Sequence, residues 1–153
     1  FARIAALYQG DGKGNDNGAT VVHGSGVAGL CGSADPVPAS IKSVAKKKYQ
    51  PTPALGKDYN TGDQYTGWSC LRFSIESPQL YQYQYQTGGP PVQVTLPKGG
   101  TPPGLDQNHT WSAAARGDLD GNGKTSWFIL EGYISDDGQI FQAPGIAVEN
   151  PEE

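Results

Sequence analysis

The stretch "LYQYQYQT", residues 80–87, alternates bulky and polar side chains without a break. A helix would scatter Tyr81, Tyr83 and Tyr85 around its axis, whereas a strand sets them on one face and Gln82, Gln84 and Gln86 on the other. A one-sided strand needs neighbours to pair with and a layer over its apolar face, so the chain must build a sheet. Three more segments supply the partners. "WSCLRFSI" (68–75) sets Leu71, Phe73 and Ile75 against Cys70, Arg72 and Ser74; "SWFILEGYI" (126–134) opposes Phe128 and Leu130 to Trp127, Ile129 and Glu131; "HTWSAAAR" (109–116) precedes it. "ESPQ" between the first pair and "GDLDGNG" between the last two supply turns, so the expected core is an antiparallel meander of about four strands. "DDGQI" (136–140) allows one further short strand, as does the segment 20–23.

Helical spacing shows in two places. "FARIAALYQ" (1–9) sets Phe1, Ile4, Ala5 and Tyr8 on one face and stops at Gly10, the pattern of the last two turns of a helix whose start is missing. "DPVPASIKSVAKKKYQPTP" (35–53) has Pro38 at a helix start, Ile41, Val44 and Ala45 at helical spacing, lysines in the last turn and Pro51 beyond, which predicts a short amphipathic helix. Helix first and antiparallel strands after is an α+β order, with the helix remnant packed on the sheet. The 22 glycines and 12 prolines put much of the remainder in long loops, chiefly residues 10–32 and 87–108. One domain spans 1–153: the helix end at 1–9, a loop and short-helix region at 10–67, and the sheet with its C-terminal tail at 68–153.

A formal net charge of −4 argues against nucleic acid as a partner, and Lys46, Lys47 and Lys48 are the only basic run. No apolar stretch approaches the roughly 18 residues of a membrane span. "GSGVAG" (24–29) satisfies a dinucleotide-binding glycine pattern, but Cys31, Gly32, Pro36 and Pro38 stand where its helix should begin. His23 and His109 are the only histidines, and no nucleophile elbow, zinc-protease motif or phosphate loop is present, so no enzyme is expected. Cys31 and Cys70 lie in no metal or thioredoxin-like spacing. A disulfide between them is their simplest use and points to an oxidising compartment; two separately buried thiols are the alternative. The tyrosine row suits the edge of a small core, or else a platform for stacking on carbohydrate.

"GDLDGNG" (117–123) holds the one candidate metal site. Asp118, Asp120 and Asn122 reproduce the first half of the calcium-loop pattern, in which alternate oxygens converge on a hard cation and the glycine permits the turn. The twelfth position, a glutamate in that pattern, is Ile129; Asp136, Asp137 or the carbonyl of Lys124 would have to complete the shell. The reading without a metal makes the loop a set of Asx-turns with glycines at positive φ, with Arg116 and Lys124 as countercharge. Calcium apart, no cofactor is expected.

Taken in order, "VPASIKSVAKKKYQ", "GWSCLRFSI", "QLYQYQY", "WSAAARGDLDGNGKTSWFILEG" and "APGIAVENPEE" together resemble bacterial type IV pilins and pilin-like proteins, particularly a group with a GDLDGDG-type turn. The resemblance implies a long N-terminal helix, its apolar first half packed in a filament core and its second half, ending in "FARIAALYQ", laid across the sheet. It places Ile4, Leu7 and Tyr8 on the face carrying Leu71, Phe73, Ile75, Phe128 and Leu130. The implied function is that of a structural subunit of an extracellular type IV pilus-like filament, held in the inner membrane by the missing apolar segment before assembly. Its partners would be other pilin subunits and the assembly machinery. A pseudopilin or minor pilin of a secretion or pilus-tip complex is the alternative within the family; an extracellular adhesive or carbohydrate-binding module is the alternative outside it. Related pseudopilins bind calcium in a C-terminal loop, which adds to the calcium reading. Binding surfaces favour loops on a rigid scaffold, which makes Thr87, Pro90, Pro91, Lys98 and Asp106 the candidates for partner contact.

Overall fold

The computed structural model describes residues 20–22, 28–88, 110–134 and 140–153. In chain order its strands are β1 (Thr20–Val22), β2 (Ala28–Leu30), β3 (Ala34–Val37), β4 (Gln82–Thr87), β5 (Thr110–Gly117), β6 (Ser126–Ile134), β7 (Ile140–Gln142) and β8 (Ala147–Glu149). One α-helix, α1 (Gly67–Leu71), lies between β3 and β4. β1 and β2 pair with each other in a separate two-stranded sheet, and the other six strands form one antiparallel sheet in the order β3-β4-β5-β6-β7, with β8 also on β6. β7 pairs with Gly132–Ile134 and β8 with Trp127–Ile129, so the two are pieces of one edge, interrupted by Pro144 and Gly145.

The alternation of the three central strands does what a period of two requires. Tyr85, Ala113 and Leu130 stand in one cross-strand row, as do Tyr83, Ala115 and Phe128, and all six point to one face. Over Tyr85, Trp111, Ala113 and Leu130 lies a layer from the preceding chain: Cys31, Tyr59, Trp68, Cys70 and Leu71, all buried. Tyr59, Trp68 and Phe73 pack with ring centroids 5.1 to 5.6 Å apart. Each such large apolar side chain contributes roughly 1.5–3 kcal/mol on burial. On the opposite face, Ala114, Trp127 and Ile129 form a second buried cluster, with Ala147 against it.

The α+β expectation is corrected by this architecture. Among the described residues, helix is confined to α1 and two 3-10 turns, Ile41–Ser43 and Asp58–Asn60, against six strands in the main sheet. The helix end expected at 1–9 lies outside the described residues, and the sheet face assigned to it, the one with Leu130, is covered by the disulfide layer.

Two local expectations fail for identifiable reasons. "WSCLRFSI" is not a strand: Gly67, Trp68, Cys70 and Leu71 are all buried in α1, a helical spacing, and Arg72 closes the helix in the left-handed region at φ 49. "ESPQ" accordingly joins no hairpin. Residues 35–48 are not an amphipathic helix either. Pro36 and Pro38 hold the residues before them extended, and β3 joins the sheet edge with a bulge between its pairings Ala34 to Tyr85 and Val37 to Tyr83. Two glutamines, one in β4 and one three residues before it, stabilise that extended path. Gln82 Nε2 donates to Pro38 O at 2.7 Å, and Gln79 Nε2 donates to Val37 O at 2.9 Å.

Candidate functional site

The "GDLDGNG" segment joins the two longest strands, β5 and β6, whose register runs without slip from Thr110 opposite Tyr133 to Gly117 opposite Ser126. A hairpin of that length presents its loop on a rigid stem. Within the loop, Asp120 Oδ1 accepts from Asn122 N at 3.0 Å and Asn122 Oδ1 accepts from Lys124 N at 2.7 Å. Gly121 and Gly123 take φ of 75° and 87°. These are successive Asx-turns, the arrangement expected of the metal-free reading.

The third dimension adds partners that no local pattern contains. Asn122 Nδ2 donates both to Asp120 Oδ2 at 2.7 Å and to Glu153 Oε2 at 2.9 Å, so one amide stands between two carboxylates. Asn150 Nδ2 donates to Thr125 O at 3.2 Å, pinning the C-terminal tail along the loop. On the other side Lys46 N donates to Asp118 O at 3.0 Å. Asp118 is 6% exposed, and its Oδ1 accepts no hydrogen bond among the described residues. Burial pulls the Arg116 guanidinium below its usual range, and Asp118 offsets part of that shift. The same guanidinium sits 4.9 Å from the Trp127 ring centroid, and its Nε donates to Thr125 Oγ1 at 3.3 Å.

The donor set fits a calcium ion poorly. Asp120 and Asn122 already accept from backbone amides, and the Asn122 amide donates to one oxygen each of Asp120 and Glu153. Ile129, at the twelfth position, is buried on the sheet, and Asp136 and Asp137 lie outside the described residues. Among the described residues no three His, Cys, Asp or Glu side chains are grouped to hold a metal.

Of the remaining sequence candidates, Cys31 and Cys70 are joined as a disulfide with Cα atoms 5.9 Å apart. Thr87 N donates to Ser33 Oγ at 3.1 Å, which ties the end of β4 beside that bridge. Pro90, Pro91, Lys98 and Asp106 lie outside the described residues, as do His23 and His109. The glycine pattern at 24–29 runs into β2, a strand where a dinucleotide turn would start a helix. Tyr85 is fully buried and packs in the core, whereas Tyr81 and Tyr83 are half-buried, with burial raising the Tyr83 hydroxyl above its usual range. Lys46 ends no helix; it takes φ 54 beside Asp118. Glu153 was missed because it stands far along the chain from Asn122; the acidic ending "PEE" was its only signal.

No family model, curated protein or solved structure matches this chain. The likeness to pilins therefore rests on the segments quoted above.

Proposed function

We propose that the chain is a structural subunit of a cell-surface filament of the type IV pilus kind, acting by assembly and surface presentation. The observation that carries this reading is the buried Cys31–Cys70 bridge, which holds the layer over the sheet. A domain whose core is closed by a disulfide is built for an oxidising compartment outside the cytoplasm. Two further features are consistent with it: the loop that carries the resemblance is a rigid hairpin end fastened to the C-terminal tail, and its side chains close it in successive Asx-turns. This reading requires no packing of an N-terminal helix on the disulfide-covered face.

The test is direct. Antibodies raised against this domain, applied to intact source cells and to filaments sheared from them, should decorate filaments along their length in electron micrographs. Decoration confined to the cytoplasm, or sheared filaments lacking the chain, would overturn the proposal.

A further inference from the structure

Asn122 carries a chemistry beyond its hydrogen bonds. Asparagine is a thermolabile side chain, because its Cγ is open to attack by the backbone nitrogen of the next residue. Attack is easiest when that residue is glycine, which has no Cβ to crowd its nitrogen. Among the described residues Asn122 is the one asparagine followed by glycine. Asn60 precedes the β-branched Thr61, and Asn150 precedes Pro151, whose nitrogen has no proton to lose. Asn122, Gly123 and Lys124 are all exposed, and nothing stands within 4 Å of the place a Gly123 Cβ would take. Water therefore reaches the group that would react.

The fold acts on the two ends of this amide in opposite senses. At the oxygen, Lys124 N donates to Asn122 Oδ1 at 2.7 Å, which sets an N–H where negative charge builds up as Cγ is attacked. The same Asx-turn folds the side chain back over the Gly123 peptide. At the nitrogen, Nδ2 has two hydrogens and two carboxylate acceptors, Asp120 Oδ2 at 2.7 Å and Glu153 Oε2 at 2.9 Å. Donation to anions keeps the nitrogen lone pair conjugated with the carbonyl, and a conjugated nitrogen is a poor leaving group. The second acceptor is delivered by a built tail. Asn150 takes φ 47, its Nδ2 donates to Thr125 O at 3.2 Å, and Glu153 N donates back to Asn150 O at 3.2 Å. That turn aims the Glu153 carboxylate at the loop. Glu153 is half-buried there, although Pro151 and Glu152 before it are exposed.

We infer that Asn122–Gly123 is a site of self-modification through a cyclic imide, and that Glu153 is the latch that keeps it intact. When the latch opens, Gly123 N loses its proton and bonds to Asn122 Cγ; the Cγ–Nδ2 bond breaks, and ammonia leaves with that proton. Water then opens the imide. Addition at Cγ leaves an aspartate at position 122, and addition at the main-chain carbonyl leaves an isoaspartate, with the backbone rerouted through the side chain. Either product removes the amide donor and adds a carboxylate beside Asp120 and Glu153, so repulsion between like charges holds the latch open. The change runs one way, from a closed turn to an acidic loop with its tail released. It does not depend on the filament reading.

Trypsin, cutting after Arg116 and Lys124, releases the peptide GDLDGNGK, in which Asn122 is the only asparagine. Mass spectrometry of that peptide, with its aspartate and isoaspartate forms separated by chromatography, follows the reaction in the whole chain held at mildly alkaline pH. The rate scales with the population of locally opened loop. Wild type should convert more slowly than synthetic GDLDGNGK under the same conditions. Glu153→Ala removes the latch and Asn150→Ala its anchor, and neither touches the turn itself. Each should convert roughly threefold to tenfold faster than wild type, the shift in a local equilibrium that one exposed bond to a charged group controls. Isoaspartate among the products identifies the imide, since direct hydrolysis of the amide gives aspartate alone. Matching thermal melts before incubation establish that the variants are folded. A wild-type chain that converts as fast as the peptide, either latch variant converting at the wild-type rate, or a product of aspartate alone would each overturn the inference.

Discussion

Removing the bridge by the double substitution Cys31→Ala and Cys70→Ala should cost more stability than any surface change in the chain. The two cysteines are 39 residues apart. Freeing a loop of that length in the unfolded chain costs about 4 kcal/mol in the chain-entropy model. The segment it closes carries Tyr59, Trp68 and Leu71, which cover Tyr85 and Leu130. At about 2–4 °C per kcal/mol for a domain of this size, the melting temperature should fall by about 8–16 °C. Urea unfolding followed by tryptophan fluorescence is a suitable assay, because all three tryptophans are buried: Trp68 in the disulfide layer, Trp111 under it and Trp127 on the opposite face. The variant should unfold at a lower midpoint in one transition if layer and sheet remain a single cooperative unit. A loss under about 1 kcal/mol would refute the reasoning, since it would mean that packing alone holds the layer and the entropy of the loop is irrelevant.

Three further outcomes are expected. Gly132→Ala should destabilise by roughly 2–3 kcal/mol, because its Cβ would meet the carbonyl oxygen of Phe141 and come within 2.5 Å of Trp111 Cζ2, whereas Gly145→Ala, with nothing nearby, should change stability by under about 0.5 kcal/mol; equal effects in urea titrations would contradict this. Burial pushes the Tyr59 hydroxyl above its usual range despite its hydrogen bond to Gln79, so the fold holds the neutral form while the unfolded chain ionises near about pH 10. Stability should therefore be level below that pH and fall above it, less steeply in Tyr59→Phe; identical alkaline slopes in the two proteins would count against the assignment. The wild-type loop should show no rise in melting temperature with millimolar calcium, whereas Asn122→Asp, which replaces the donor between Asp120 and Glu153 with a third carboxylate, should lose stability and regain it on adding calcium. Calcium stabilisation of the wild type, absent in Asp120→Ala, would reverse the metal-free reading.

Local chemistry made part of this molecule legible in advance. β4 follows from a strict period of two over six residues, β5 and β6 follow from flanking the GDLDGNG turn, and the Asx-turns of Asp120 and Asn122 follow from side chains that bond their own backbone two residues on. Shorter patterns misled. Over a few residues, the apolar positions of "WSCLRFSI" fit a strand as well as a helix, and the burial of Trp68, Cys70 and Leu71 against the sheet selected the helix. The lysine-tailed segment 35–48 has helical spacing, yet its carbonyls at Val37 and Pro38 accept hydrogen bonds from Gln79, just before β4, and from Gln82, within it, more than forty positions away.

The sequence by itself thus determined what depends on neighbours along the chain: which stretches alternate, where the hairpin turns, and that two cysteines outside any metal spacing favour a bridge. Tertiary structure alone decided which side chains cross the gap between distant segments. It set the Glu153 carboxylate against the Asn122 amide, the Lys46 backbone N–H on the Asp118 carbonyl and the disulfide layer over Tyr85, and it left Leu55 and Val148 exposed. The reason is energetic. A strand is specified by the period of its own side chains, but a cover, a hydrogen bond between distant segments or an exposed knob exists only once the sheet has chosen which face each distant segment must close.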